Sequence, residues 1–263
     1  MAIVDFHNHL IPGVDDGAQT PAESVAGVAA FIENGVGVLV ATPHFDAGLS
    51  LDPPALAARL TEIDAGWDAL RAMCTERYPE LETYRAVELL LDIPEPDLGD
   101  ARLRMNGGPF FLVEFPFMTV PPHSARALST LRQTGYIPIL AHPERYRGLP
   151  EIEVAGAWRE AGAYLQVNGG SLLGRYGTRA QHTAHELLRR SWVDYVCSDY
   201  HARGVPLISE YRKWLEQAAG LEQAVTLTET NPARMLRGDL PLPLPLLRSE
   251  RRSIWQRMGG LFR

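Results

Sequence analysis

Cysteine is nearly missing from this chain, and so are a basic charge balance, long apolar runs and internal repeats. Its 263 residues include two cysteines, Cys74 and Cys197, in unrelated contexts, which excludes a disulfide framework and a zinc-type cysteine pair and fits a reducing cytoplasm. Basic side chains are outnumbered. The chain has 25 Lys and Arg against 32 Asp and Glu, and the net charge of -7 excludes a protein whose main work is gripping nucleic-acid phosphates. Nowhere do about 18 apolar residues run uninterrupted, so no membrane-spanning helix is expected. Strand-like residues begin directly after Met1 without a basic leader, and export is not expected. What remains, with 46% hydrophobic side chains, is an acidic chain able to bury a full core as one domain with a tail.

Seven runs rich in Val, Ile, Leu, Phe and Tyr read as strands: 2–7, 36–41, 84–91, 110–115, 137–141, 164–168 and 195–198. Helical stretches fall between most of them, at 21–34, 54–73, 124–134, 153–161, 178–190 and 207–219. The first helix is clearly delimited: Thr20 caps it, Glu23 completes a capping box, Pro21 suits the first turn and Gly35 ends it. Gly135 and Gly162 close later helices in the same way. Strands alternating with helices imply a parallel sheet, either open and doubly wound or closed as a barrel. In an open sheet functional groups gather at one switch point, whereas here nearly every strand end carries a metal-ligand type, and only a closed ring brings such ends together. The expectation is an α/β fold, a distorted (β/α)7 TIM-like barrel with helices outside.

The strand ends read Asp5-Phe6-His7-Asn8-His9, Thr42-Pro43-His44, Val87-Glu88, Val113-Glu114, Ala141-His142-Pro143-Glu144-Arg145 and Ser198-Asp199-Tyr200-His201. Five of the eight histidines sit there, a pattern that core packing does not require. His7 and His9 share a side because alternate residues of an extended segment do. Imidazoles alone would suit zinc or copper, but the carboxylates Asp16, Glu88, Glu114 and Asp199 shift preference toward manganese, magnesium or iron. Glu88 and Glu114 lie inside apolar runs, where an unpaired buried carboxylate is costly and a metal partner accounts for it. A phosphate ester needs its oxygens neutralised, a deprotonated water and in-line geometry, and clustered divalent ions supply all three.

These segments, together with Pro12-Gly13-Val14-Asp15-Asp16-Gly17 and Asn168-x-x-Ser171, resemble the polymerase-and-histidinol-phosphatase superfamily over roughly residues 1–237. More narrowly, they are similar to the bacterial metal-dependent protein-tyrosine phosphatases of capsule and exopolysaccharide gene clusters. The resemblance implies three divalent ions at the top of the barrel, of manganese type, with magnesium, iron or zinc as alternatives. It places His7, His9, Glu88 and Asp199 around a first ion, with Glu88 bridging to a second held also by Glu114 and His142. A third takes Asp16, His44 and His201, while Arg145 and Arg203 contact the phosphate. The expected reaction is attack of a metal-bridging hydroxide on phosphorus, with Arg145, Asp199 and His201 as the catalytic group and Arg145 bracing the charge through a bidentate fork. Phenol leaves with a pKa of about 10, so a metal or an imidazole assists it, and no covalent phosphoenzyme is needed. The implied substrate is a tyrosine kinase of polysaccharide export.

Blander readings stand beside these. Asp15-Asp16-Gly17 is also what a turn prefers, with Gly17 supplying positive φ and an aspartate bonding its own backbone. Arg145 has Glu144 beside it as an ion-pair partner, His182 and His185 read as ordinary helix-face residues, and His123 follows Pro121-Pro122 in a loop on the catalytic side. The segment 168–171 is a polar turn, by simple turn chemistry or as a substrate contact, and Tyr200 between two ligands leaves the pocket width open. Cys197 and Arg203 have the C-x5-R spacing of thiol-based tyrosine phosphatases, but Asp199 inside that loop would repel both thiolate and phosphate. Three rival functions remain. Amidohydrolase barrels often bridge metals through a strand-end lysine, whereas the single lysine here, Lys213, falls on an expected helix. Histidinol phosphatases usually carry a further histidine where this chain has Asp16, and a non-catalytic module of the kind fused to polymerases would leave a full set of ligands unexplained.

After a short helix at 234–236, the alternating prolines of 240–245 read as an extended connector, since every second residue lacks an amide donor. Residues 246–263 carry five arginines among apolar residues. They form either a basic amphipathic helix for peripheral contact with an anionic membrane or a partner, or a segment resting on the protein's own surface. The expected division is a barrel at 1–237 and a connector with tail at 238–263.

Overall fold

The computed structural model describes residues 2–147 and 152–245. Its strands, in chain order, are β1 (Ile3–Asp5), β2 (Val36–Ala41), β3 (His44–Asp46), β4 (Glu82–Arg85), β5 (Glu88–Leu90), β6 (Phe110–Glu114), β7 (Ile137–Ala141), β8 (Tyr164–Asn168) and β9 (Tyr195–Cys197). All pair in parallel, in the orders β1-β2-β4 and β3-β5-β6-β7-β8-β9. The two sheets are one wall. β2 runs into β3 across Thr42 and Pro43, whose missing amide interrupts the ladder, and β4 runs into β5 across Ala86 and Val87. The amides of Ala86 and Glu88 donate to Ala41 O and Pro43 O at 2.9 and 3.0 Å, carrying the pairing over both breaks. At the seam, Asp199 N donates to His7 O and His9 N to Tyr200 O, which joins the end of β9 to the end of β1. The wall thus closes with seven staves, as the alternation of strands and helices predicts.

Helices α1 (Pro21–Glu33), α2 (Pro53–Arg77), α3 (Ser124–Gln133), α4 (Glu153–Glu160), α5 (Gly169–Leu172), α6 (Thr178–Arg189), α7 (Ile208–Ala218), α8 (Leu221–Val225) and α9 (Asn231–Leu236) surround it. Thr20 caps α1 through Glu23 N, but Glu23 returns its carboxylate to Gln19 N at 2.6 Å rather than to the Thr20 amide, so the capping box is displaced by one residue. Sequence reading missed α5, read as a turn, and the helical run through 221–230. There the β-branched Thr226, Thr228 and Thr230 disguise a π-helical segment, Thr226–Thr230, that fuses α8 to α9. The proline-rich stretch through residue 245 forms no helix or strand and lies back on the barrel. Asn231 donates to Leu242 O and accepts from Leu242 N, and Ser191 Oγ reaches Pro245 O. The tail reading of 246–263 lies outside the described residues.

The strand parity positions the site. Phe110, Leu112 and Glu114 face inward on β6, Tyr164, Gln166 and Asn168 on β8, and Tyr195 and Cys197 on β9. Each inward row begins apolar at the bottom, where Met105 and Met235 close the barrel, and ends polar at the top. The outward row packs Phe111, Val113, Leu140, Leu165 and Val167 against the helices.

Candidate metal centre

The nine expected ligands converge at the top of the barrel. Glu88, fully buried, is the hub. His7 Nε2 lies 3.1 Å and His142 Nε2 3.0 Å from its Oε1, and His44 Nδ1 lies 3.1 Å and His9 Nε2 3.4 Å from its Oε2. Asp199 Oδ1 sits 3.3 Å from His7 Nε2 and 3.5 Å from both His9 Nε2 and His201 Nδ1. Glu114 approaches His44 at 3.4 Å and His142 at 3.8 Å, and Asp16 Oδ1 lies 3.4 and 3.3 Å from the Nε2 atoms of His44 and His201. Ligand atoms within 4.8 Å of one another form four groups: His9 with Asp16, His44 and His201; His7 with His142 and Asp199; His7 with His9 and Glu88; and His44 with Glu88 and Glu114. The groups overlap: His7, His9, His44 and Glu88 each belong to two of them, so proximity alone does not divide the nine side chains among separate ions.

The outer ends of the rings set the direction of their lone pairs. His7 Nδ1 donates to Gln166 Oε1 at 2.8 Å and His9 Nδ1 to Asp15 Oδ2 at 2.7 Å, which turns each Nε2 toward the cluster. Those two Nε2 atoms, with Glu88 Oε2 and His142 Nδ1, are buried and make no hydrogen bond within the described residues. Buried polar atoms outside any hydrogen bond, converging from separate staves, fit divalent ions as their common partner.

Electrostatics point the same way. Burial opposes charge on His7, yet Glu88 and Asp199 overcome it and raise the imidazole above its ordinary range. His44, disfavoured by burial but facing Glu114 and Glu88, is pushed up to about 10. Burial would raise the Asp15 carboxyl, but His9 and the amides of Gly17 and His44 hold it down at about 2. Glu88 and Asp199 likewise stay ionised far below the usual carboxylate range against the cost of burial, through His7 and its neighbouring rings. So many carboxylates demand positive charge, and in the metal-free chain His7, His9 and His44 supply it by holding protons.

Two candidate ligands sit in left-handed backbone, His142 at φ 35° and Asp199 at φ 53°. Arg145, on the one-turn helix after His142, donates to Asp199 Oδ2, and Asn168 Nδ2 donates to the same oxygen at 2.7 Å. Glu144 is not its partner: buried, it accepts from Ser171 Oγ at 2.6 Å and Asn168 N at 3.0 Å. The 168–171 turn therefore braces the cluster from behind, and of it only Gly170 reaches the cleft wall. Arg203 lies on the rim and donates to Asp16 O at 2.6 Å. The opening has two lobes of about 280 and 290 Å3 that share Asp16, Arg145, Asp199 and His201. One is walled by Arg175, Tyr176 and Arg203, the other by Leu90, Phe115 and Met118.

Several sequence readings are refined here. Asp15 and Asp16 divide the work: Asp15 accepts from Gly17 N at 2.9 Å, as a turn aspartate does, and orients His9, while Asp16 faces the imidazoles. Gly17 is not needed for positive φ; a Cβ there would stand 2.1 Å from His9 O. Asp15, Gln166 and Tyr176 have no functional role in the sequence reading, and the inward parity of Gln166 is the signal that finds one of them. His185 stacks on Trp214 and meets Leu172 O, and neither it, His182, His123 nor Lys213 lines the cleft. Tyr200 sets its ring against Phe31 and its hydroxyl on Gly204 O while lining one lobe of the cleft. Cys197 is fully buried below Asp199, and burial pushes its thiol well above the ordinary range, which disposes of thiolate chemistry.

Known proteins resemble this chain over most of its length. It is 31% identical over 208 residues to the tyrosine-protein phosphatase YwqE of Bacillus subtilis, a match covering 76% of this chain and 77% of that one. To the tyrosine-protein phosphatase CpsB of Streptococcus pneumoniae it is 27% identical over 252 residues, covering 90% and 100%. A crystal structure reported for YwqE and CpsB, described as unique metal-dependent tyrosine phosphatases, superposes with a TM-score of 0.80 at 28% identity, covering 93% of this chain and 98% of that one. An organophosphorus hydrolase from Deinococcus radiodurans, at 12% identity and a TM-score of 0.52, shares the barrel alone. The capsular polysaccharide synthesis family CpsB/CapC matches residues 3–237, every stave and all nine clustered side chains included, and the chain belongs to that family.

Proposed function

We propose that this protein is a metal-dependent phosphomonoesterase acting on phosphotyrosine in proteins, its physiological substrate being a tyrosine kinase of polysaccharide export. The observation that carries the reading is the convergence of His7, His9, His44, His142 and His201 with Asp16, Glu88, Glu114 and Asp199 beneath a cleft that holds Arg145. In this reading His7, His9, Glu88 and Asp199 hold one ion, Glu88, Glu114 and His142 a second, and Asp16, His44 and His201 a third, manganese being the metal the mixed donor set suits best. Such ions would neutralise phosphate oxygens and make a water nucleophilic at neutral pH.

The chain's own residues do the rest. Arg145 presents a planar fork to two phosphate oxygens, and Asp199 with Asn168 fixes where that fork points. Arg203, lining the same lobe as Arg145, adds positive charge along the approach. His201 lines both lobes, and the ion that it would hold with Asp16 and His44 would also stabilise the departing phenolate oxygen, since phenol leaves with a pKa of about 10. Leu90, Phe115 and Met118 exclude water from one side of the cleft.

The reading places the reaction in the cytoplasm, in keeping with two buried cysteines that form no bridge. Among the described residues no helix is long and apolar enough to cross a membrane. A peripheral membrane contact through 246–263 is part of the proposal, as is the division of the chain at residue 237. Liposome binding that is unchanged on removing 246–263 would dispose of the contact. The central test assays phosphotyrosyl peptide and histidinol phosphate side by side with manganese. Hydrolysis of the peptide, its loss in chelator and its indifference to thiol alkylation are expected; inertness toward every phosphomonoester, or preference for histidinol phosphate, overturns the assignment.

A further inference from the structure

Tyr176 and Arg175 form the tip of the segment between α5 and α6, bracketed by Gly174 at φ +83° and Gly177 at φ +89°. The left-handed glycines fold this tip over the cleft. The Tyr176 ring lies under the Arg145 guanidinium, with Cζ 4.3 Å from the ring centroid. A Cβ on Gly170 would stand 3.2 Å from Tyr176 Cε2, so glycine leaves the ring its place. Below, Arg179 of α6 donates to Tyr146 O at 2.7 Å and Arg145 O at 3.2 Å, fixing the backbone from which Arg145 springs. Arg175 Nη1 donates to Val205 O at 3.1 Å, tying the same tip to the loop that carries Arg203.

Resting on the phosphatase reading, we propose that Tyr176 is a positioning residue for phosphate recognition, its ring face fixing the plane of the Arg145 guanidinium. Asp199 holds one edge of that group but leaves it free to rotate about the bond; an aromatic face removes the rotation. A bidentate fork needs both constraints, because two parallel N–H groups must meet two oxygens at once.

The test is calorimetric binding of inorganic phosphate to the manganese-loaded full chain, which requires no turnover. Tyr176→Leu should weaken binding about five- to tenfold, and Tyr176→Phe, which restores the face, should recover it to within about twofold. In an Arg145→Ala background Tyr176→Leu should cost nothing more, because the two act as one unit. Wild-type affinity in Tyr176→Leu, or an equal further loss in the Arg145→Ala background, overturns the proposal. Should Tyr176→Leu fail to fold, Gly170→Ala presses on the same ring and is read by the same cycle. A wild-type protein inert toward phosphotyrosyl peptide would sink the functional reading, whereas additivity in phosphate binding sinks this one alone.

Discussion

Replacing Glu88 with glutamine tests the cluster at its hub. Glu88 is fully buried and offers two charged oxygens to four imidazoles at 3.0–3.4 Å; glutamine keeps one neutral oxygen and turns an amide N–H2 toward His44 and His9. In the metal-free protein His7, His9 and His44 are held protonated by their neighbouring carboxylates, so the substitution strands buried positive charge. Removing one partner of a buried pair costs about 3–5 kcal/mol. At about 2–4 °C per kcal/mol for a chain of this size, the melting temperature in chelator at pH 7 should fall by roughly 6–20 °C. The Glu88 carboxyl is held far below its usual range, so its contribution is complete at pH 7 and fades only on acidification. Loss of a ligand should also weaken manganese binding by at least about 100-fold, lowering the metal-induced stabilisation at fixed metal by about 2.7 kcal/mol. Scanning fluorimetry with chelator and with graded manganese reads both effects. A Glu88→Gln protein that melts within about 2 °C of wild type and gains as much from manganese would refute the account of Glu88 as hub.

Further outcomes follow from other contacts. Asp15→Asn removes the charge that orients His9 while keeping the turn to Gly17, and should weaken metal binding about 10- to 100-fold with little loss of fold; unchanged affinity by calorimetry would count against it. Metal must displace imidazole protons. Because His44 is raised from 6.5 to about 10, the stability those protons give the metal-free chain is complete below pH 6.5 and lost toward pH 10, while apparent metal affinity climbs across that window. Titrations in buffers of different protonation enthalpy should reveal proton release, and a pH-independent affinity without release would contradict the cluster's electrostatics. Gly17→Ala forces a Cβ to within 2.1 Å of His9 O, so the loop carrying Asp15 and Asp16 must shift; a destabilisation of about 1–3 kcal/mol and loss of one metal equivalent are expected, and a variant with wild-type stoichiometry would show that the loop yields harmlessly.

The barrel was legible because six of the seven staves end in a ligand type after a largely apolar run, and because α1 is delimited by Thr20, Pro21 and Gly35. Strand period 2 then determines which acids face inward: Phe110, Leu112 and Glu114 share a side, so burying the first two aims the third at the axis. What escaped reading depends on distance in the chain. Asp15 reads as a turn residue because its bond to Gly17 N is local, while its bond to His9 appears only once the loop folds back. Gly17 reads as a φ-permissive residue for the same reason, although close approach of His9 explains it. Tyr176 gives no signal at all, since its partner Arg145 is 31 positions earlier and the two meet only when the α5–α6 tip folds over the cleft.

The left-handed conformations at His142 and Asp199 connect this geometry to the site's strain. Non-glycine residues at positive φ cost about 1–2 kcal/mol each and persist where the surroundings over-determine them. Each of these residues leaves its strand by a sharp turn, which points its side chain over the barrel mouth instead of along the wall. Asp199 is then gripped by Asn168 and Arg145 on one oxygen while facing three imidazoles with the other. A carboxylate held from both sides cannot follow the imidazoles as they gain or lose protons. The strained turns therefore hold both side chains over the barrel mouth, where nine side chains from six staves converge as one cluster.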